Sequence, residues 1–599
     1  MKYFLIVLII LLSLRATAQQ SDSQLAYNYY QAKDYAKAAE LFLQLYERTH
    51  AASYLDFHIV CLINAKEYDR AEETLKKYLK QDDSNRDFLL NLGYIYEQQG
   101  KINKSEECYE KAIKKLIPNQ TEIQNLASKF QSIRQYDWAN KTYLRGRELL
   151  KKPSVFSLEI GDNYMLDRNY EKMTDIFFET LEQNPGQINT ITSKLGYAKT
   201  YDIGNNVDEV VRKKLAGILK KTDYNPVFDE LSVWFALQTG DYPGALSYAV
   251  RLNSKMADKL YIYINIAREA ARAKKYTVAE DAYNRILQKG KENNSLYLPA
   301  RKELIQCKYS ACTEHKTDPA QYKVIAEECE NFMKESGYNI QNTDMVTLLS
   351  DIYAYRLNLP DTANSILKKG ESVPRLDLFN SNMLKTKRAD LLTFINHPWE
   401  AIILYTQIEK ANPNNDAGYE AKLKKAWLAY YEGDLLWAKA QFDVLKGSTS
   451  KLISNDAIKI SHFINSNYEP DGENKELSQM AKTEYLVYRK QYKTALPVLD
   501  SLIDNETLPG IADYASLIKA GVLLSEFNDK EAEVILEKLK AHSEQTYIRA
   551  EAIYKLAGIK QNRQDRQQAM ELYKTLVSEY SGSVYSIEAG KRYRELEKE

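Results

Sequence analysis

NLGYIYEQQGKINKSEECYEKAIK, residues Asn91 to Lys114, carries small and large apolar side chains at the offsets that pack two antiparallel helices. Leu92, Gly93 and Tyr96 recur at helical spacing on one face of a first helix, and Tyr109 and Ala112 do the same on a second. Gly100 between them permits the turn. Gly93 and Ala112 mark places where two backbones approach closely. A single hairpin of this kind leaves its apolar face open to water, and a neighbour on each side closes it. The stretch therefore predicts a run of hairpins that stabilise one another, in which each buried large side chain is worth about 1.5–3 kcal/mol.

The design recurs along the chain. LAYNYYQAKDYAKAAELFLQLY puts Leu25, Ala26, Tyr29, Ala38 and Phe42 where the first stretch has Leu92, Gly93, Tyr96, Ser105 and Tyr109. His58, Ile59, Leu62, Ala71 and Leu75 fill the same slots, as do Leu126, Ala127, Phe130, Ala139 and Tyr143, then Ile160, Gly161, Tyr164, Met173 and Phe177. The first anchors, at 58, 92, 126 and 160, are spaced by 34 residues. Regularity weakens over Gln187–Asn225, where Gly204-Asn205-Asn206 reads as a turn. It returns in units built on Gly240 with Ala245 and on Ala267 with Ala279 and Tyr283. Arg301–Tyr338 reads as a longer helical pair with an insertion around Thr313–Pro319, and Met345–Lys369 as a divergent pair. A second regular block starts near Lys387, carrying Gly433, Ala438 and Phe442. The polar segment NSNYEPDGENK, Asn465–Lys475, has the composition of a linker. Beyond it, units centre on Ala495, Ala532 and Ala569, spaced by 37 residues.

A helix–turn–helix of this length with these slots resembles the tetratricopeptide repeat, and about 12 helix pairs can be traced, roughly eight of them close to the motif. The resemblance implies an all-α fold, a solenoid of stacked antiparallel helix pairs with a superhelical path. The expected organisation is a signal peptide over 1–18, a regular array over 19–186, divergent helical repeats over 187–345, further repeats over 346–464, a linker over 465–475 and C-terminal repeats over 476–599. In the family the first helix of each pair lines a concave groove, and residues between its packing anchors face the ligand. Carried over, those positions are Tyr27, Tyr30, Tyr94, Glu97, Gln131, Asp162, Trp234 and Arg268, together with Val60, Ser128 and Met165. The family's clamp for C-terminal carboxylates needs paired Lys, Asn and Arg residues. This chain has Ser23, Tyr27, Asn91, Thr121 and Asn125 there, so only the central Asn is kept and capture by that clamp is not expected.

Lys plus Arg and Asp plus Glu stand at 82 each, which removes the basic footprint of a general nucleic-acid binder. The N-terminus, MKYFLIVLIILLSLRATAQQ, has Lys2, an apolar run from Phe4 to Leu14 and the small-residue pattern Ala16-Thr17-Ala18, the signature of a secretory signal cleaved after Ala18. The run is shorter than the roughly 20 residues a membrane span requires. Retention as an uncleaved anchor is the alternative. No later segment is apolar enough to cross a bilayer. The composition and the Gln19-Gln20 start are similar to tetratricopeptide envelope proteins of Bacteroidota.

Five cysteines, Cys61, Cys108, Cys307, Cys312 and Cys329, are few for a disulfide scaffold, and buried thiols are expected. One bridge from Cys307 or Cys312 to Cys329 is the alternative. The six histidines are scattered, and His58 falls in a helix-packing slot. There is no metal-ligand spacing, phosphate loop or nucleophile elbow, so no cofactor and no metal are expected. The sequence thus reads as a non-catalytic scaffold, exported to the periplasm or cell envelope, that binds a protein or peptide partner in a concave groove. It has no nucleic-acid partner and no direct membrane span. A glycan- or peptidoglycan-associating envelope protein that uses exposed aromatics is one alternative. An α-helical enzyme with a carboxylate pair brought together only by the fold is another.

Overall fold

The computed structural model describes residues 22–256, 259–315, 318–447, 450–505 and 507–598. The segment read from sequence as a signal peptide, 1–18, lies outside the described residues. The described residues form helices joined by short turns, with no strand among them, and consecutive helices pack as antiparallel pairs that stack in sequence order except around the loop 468–474. The fold is an all-α solenoid of tetratricopeptide type. The chain divides into two compact units, Met1–Ile266 and Ala267–Glu599, a division that falls within the stretch read from sequence as one divergent block, 187–345.

In the first unit Arg86–Gln98 and Ile102–Lys114 form the pair anticipated for the opening stretch. Gly93 faces the ring of Tyr109, and the same sixteen-residue interval links Ala26 to Phe42, Ala127 to Tyr143 and Gly161 to Phe177, all of them buried. A small residue on the first helix thus admits a large one on the second. The helix Val227–Gln238 reverses the sizes, with Val233 in the small slot and Ala249 in the large one, which keeps the filled volume similar.

Seven residues after the small slot the chain turns through the left-handed region. Gly100 does so at φ 73°, and Lys33, Lys66, Arg134 and Arg168 occupy the same place at φ 57–62°. An acidic or amide residue next to the turn then caps several second helices: Asp34 and Asn169 accept from the backbone N–H of Lys37 and Lys172. Tyr opens most second helices of this unit, at Tyr35, Tyr68, Tyr136, Tyr170 and Tyr242. A recurring packing slot thus accounts for part of the chain's 46 tyrosines.

In the second unit the divergent stretches are helical too. Tyr297–His315 and Pro319–Ser336 form the long pair, and Thr343–Asp351 continues as a π-helix over Ile352–Arg356 before Pro360–Glu371. Asn465–Lys475, read as a linker, is a loop only over 468–474. Its polar residues close on themselves, since the Asn474 side chain donates to the carbonyls of Glu469 (2.7 Å) and Gly472 (2.9 Å) and accepts from the Glu469 N–H (2.8 Å).

The helices on either side of that loop share one buried cluster running from Ala389 to Ile559. They exchange places in doing so. Helix Lys475–Tyr488 reaches back, with the Tyr485 hydroxyl donating to the Thr393 carbonyl (2.8 Å) and its ring stacked on Tyr431 (5.0 Å). Helix Lys451–Asn467 reaches forward, with Phe463 stacked on Tyr514 (4.1 Å) and Lys459 paired with Glu551 (2.7 Å). Two runs of helix pairs are interlocked here, an arrangement that a composition-based reading of a polar loop does not anticipate.

All five cysteines are buried and none is in a disulfide. The alternative bridge does not form, because the Cys329 thiol points to the Met345 carbonyl (3.7 Å) and that of Cys312 to the Gln321 side chain (3.3 Å). No described helix is long and apolar enough to cross a membrane.

Candidate functional site

In the first unit the residues assigned to the groove make contacts within the array. Tyr27 sits edge-on to Phe42 (5.2 Å) and Phe57 (5.1 Å), and Tyr30 to Tyr35 and Phe57, so both belong to the packing of the first two pairs. Glu97 accepts from the Tyr109 hydroxyl (3.0 Å) and from the Gln135 side chain (2.6 Å), tying its own pair to the turn of the next. Gln131 donates to Asn163 (2.6 Å), which donates to Asn140 (2.8 Å). Asp162 is paired with Lys194 (2.6 Å). Trp234 is half-buried beside the core around Phe228, with its ring near Gly196. Tyr94, Val60 and Met165 are half-buried and Ser128 is exposed. Many of these first-helix polar residues therefore stitch one pair to the next at roughly the repeat interval, which stiffens the array.

Arg268 is different, because it stands at the wall of a cavity of about 890 Å³ in the second unit. The cavity is built on first helices of successive pairs. Arg268 comes from the end of Leu260–Arg272, Lys302, Glu303, Gln306 and Ser310 from Tyr297–His315, and Asp344 from the start of Thr343–Asp351. Gly337, at φ 77°, ends helix Pro319–Ser336, and the Asn342 side chain donates to its carbonyl (3.0 Å). That closure sets Gln341 and its carbonyl beside Lys302.

Charged groups in the walls are paired across the helices. Arg268 holds Glu303 through two hydrogen bonds (2.8 and 2.6 Å), and Tyr283 donates to the same carboxylate (3.0 Å). Lys302 pairs with Asp344 (2.7 Å), to which Gln306 donates (2.8 Å). The Glu303 hydrogen bond raises the Arg268 guanidinium above its ordinary value, and the Lys291 hydrogen bond keeps Glu335 below the usual carboxylate range. Burial pushes the Cys307 thiol up to about 12, so at neutral pH it is protonated and a poor nucleophile. The walls thus alternate fixed donors and acceptors along a polar trough of near-zero formal charge. Such a lining can match the N–H and C=O groups of an extended main chain.

Sequence reading reached Arg268 but not Lys302, Glu303, Gln306, Ser310 or Asp344. The long helix Tyr297–His315 runs on past residue 308, where the 34-residue register would place the turn that follows Lys274. A signal was present in the opposite charges of Arg268 and Glu303, which stand one repeat apart.

The repeats are also found by comparison of the sequence with known families. Two models of the tetratricopeptide repeat match residues 62–120 and 551–583. A TPR repeat-containing protein of Methanocaldococcus jannaschii is 27% identical over 202 residues, covering 32% of this chain and 35% of that protein. The chain thus spans about a third of the length of the curated relative it matches. A solved structure of Naa15/Naa10 bound to HypK-THB aligns over 96% of both chains at 12% identity with a TM-score of 0.25.

Proposed function

We propose that this chain is a non-catalytic scaffold of the bacterial cell envelope that holds an extended segment of a protein partner in the trough at Arg268. Tetratricopeptide repeats and a matching fold support a role in protein interaction. The observation that carries the finer reading is the trough itself: successive first helices present both signs of charge and the polar side chains of Gln306 and Ser310 along one cavity of about 890 Å³. Its charged groups are pre-organised by mutual pairing, so a bound main chain meets donors and acceptors that need little reordering. Export rests on Lys2, the apolar run and Ala16-Thr17-Ala18.

Affinity capture from envelope extract of the native host tests this, comparing the wild-type chain with Ser310→Arg, which fills the trough. The reading expects one protein to be retained by the wild type and lost with the variant at unchanged melting temperature. Equal retention by both would sink it. A carbohydrate-associating role draws on the exposed Tyr197 and Tyr201, whose rings stand 4.7 Å apart on helix Ile188–Tyr201. Binding to purified sacculi that is lost in Tyr201→Ser would favour that role instead.

A further inference from the structure

We propose that the solvent face of two successive second helices, Pro398–Ala411 and Leu435–Leu445, is a docking surface for a second copy of this chain. The site is separate from the trough at Arg268 and does not rest on it.

The repeat register shows that this face is apolar for a reason other than packing within the chain. The third and seventh residues after the left-handed turn lie about one helical turn apart on the second helix of a pair. After Lys66 they are Asp69 and Glu73, after Gly100 they are Asn103 and Glu107, and after Gln564 they are Gln567 and Glu571, all exposed. The fold therefore accepts polar side chains at both positions. After Asn396 they are instead Trp399 and Ile403, 74% and 59% exposed, and after Gly433 they are Leu436, 57% exposed, and Ala440. Val444, 63% exposed, extends the second stripe by another turn, and Trp437 stands beside Leu436. Two consecutive pairs thus hold large apolar side chains in water at positions where these other pairs hold polar ones.

Area, charge and shape together select the occupant. Trp399 alone exposes on the order of 150–200 Å². With Ile403, Leu436, Trp437 and Val444 the exposed apolar surface comes to roughly 500 Å². One partner in a stable interface of standard size gives about 800 Å², a little over half of it apolar, so the patch supplies that share. The two helices and their caps carry no excess of positive charge. Glu400 and Asp434 are matched by Lys410 and Lys446, while Lys439 pairs with Asp443 (2.8 Å) and Glu409 with Lys425 (2.8 Å). An anionic lipid surface or a nucleic acid selects for such an excess, and a second copy does not. On helix Leu435–Leu445 the large Leu436 and Trp437 stand at the start, and the smaller Ala440 and Val444 lie toward the end. Two copies related by a two-fold axis, with these helices antiparallel, lay the large end of each on the small end of the other.

Sedimentation equilibrium of the full chain, loaded from about 0.1 to about 50 μM, tests this. A monomer–dimer equilibrium with a dissociation constant in the micromolar range or below is expected. Trp399→Asp/Leu436→Asn installs the residue types that Asp69 and Asn103 hold at the same position. It should weaken the dimer at least about tenfold with helicity by circular dichroism unchanged. Val534→Asp, at an exposed apolar residue on helix Asp529–His542, should leave the dimer as it is. A wild type that stays monomeric, a smaller change in the double variant, or an equal loss in Val534→Asp would overturn the assignment. A monomeric wild type that sediments with phosphatidylglycerol vesicles, where the double variant does not, would overturn it in favour of a lipid surface.

Discussion

Gly93 lies so close to Tyr109 that a Cβ at position 93 would stand 2.5 Å from Cε1 of the ring. Tyr109 is almost fully buried, and its hydroxyl is held by Glu97, so the ring has little room to move. Gly93→Ala should therefore destabilise the chain by about 1–3 kcal/mol, although alanine is intrinsically the better helix former by about 1 kcal/mol. Adding Tyr109→Leu should recover part of the loss, because the pair Val233 and Ala249 shows that the slot tolerates other divisions of volume. Thermal unfolding followed by circular dichroism measures both changes.

The left-handed turn between the two helices of a pair gives an opposite case. Arg134 and Gln564 hold φ near +60° where Gly100, Gly240 and Gly433 stand in other pairs. A side chain there costs energy that glycine avoids. Arg134→Gly and Gln564→Gly should each stabilise by about 0.5–1 kcal/mol. Gly433→Ala should destabilise by a similar amount. Chemical denaturation at fixed pH reads the three variants.

Glu484 should make stability depend on pH. The carboxyl accepts from the Tyr514 hydroxyl (3.0 Å) and lies within the interlock, near Tyr430, Lys459 and Glu551. Burial pushes it up from the ordinary 4.5 to about 7. The folded chain therefore holds a proton there that the unfolded chain has lost. The resulting stabilisation is full below about pH 4.5 and falls away as pH rises to about 7. Glu484→Gln should flatten this part of the profile and raise stability at pH 7.5 by on the order of 1–3 kcal/mol. The difference between wild-type and variant unfolding curves across pH 4–8 isolates it from other carboxyls.

The repeat was legible because its signal is local. Gly93, Tyr96, Tyr109 and their counterparts are read from intervals within one pair, and the structure packs them as those intervals require. The sites are less local. Whether Glu97 faces a ligand or Tyr109 and Gln135 depends on hydrogen bonds between pairs, which spacing alone does not reveal. Arg268 was reached because its helix keeps the 34-residue register, whereas Gln306 and Ser310 lie on a helix that departs from it. The exchange of helices Lys451–Asn467 and Lys475–Tyr488 depends on contacts more than ninety residues apart. In sequence that region shows only a polar loop.

The central claim, that the trough at Arg268 holds a protein partner, is met most directly by site-specific photocrosslinking in the native host. A photoreactive residue is placed at Ser310, inside the trough, or at Asn284, exposed on the neighbouring second helix. The expected result is one discrete adduct from position 310, absent from position 284 and lost when Arg272→Glu is added at the trough wall. No adduct at 310, or the same adducts from both positions, would contradict the account.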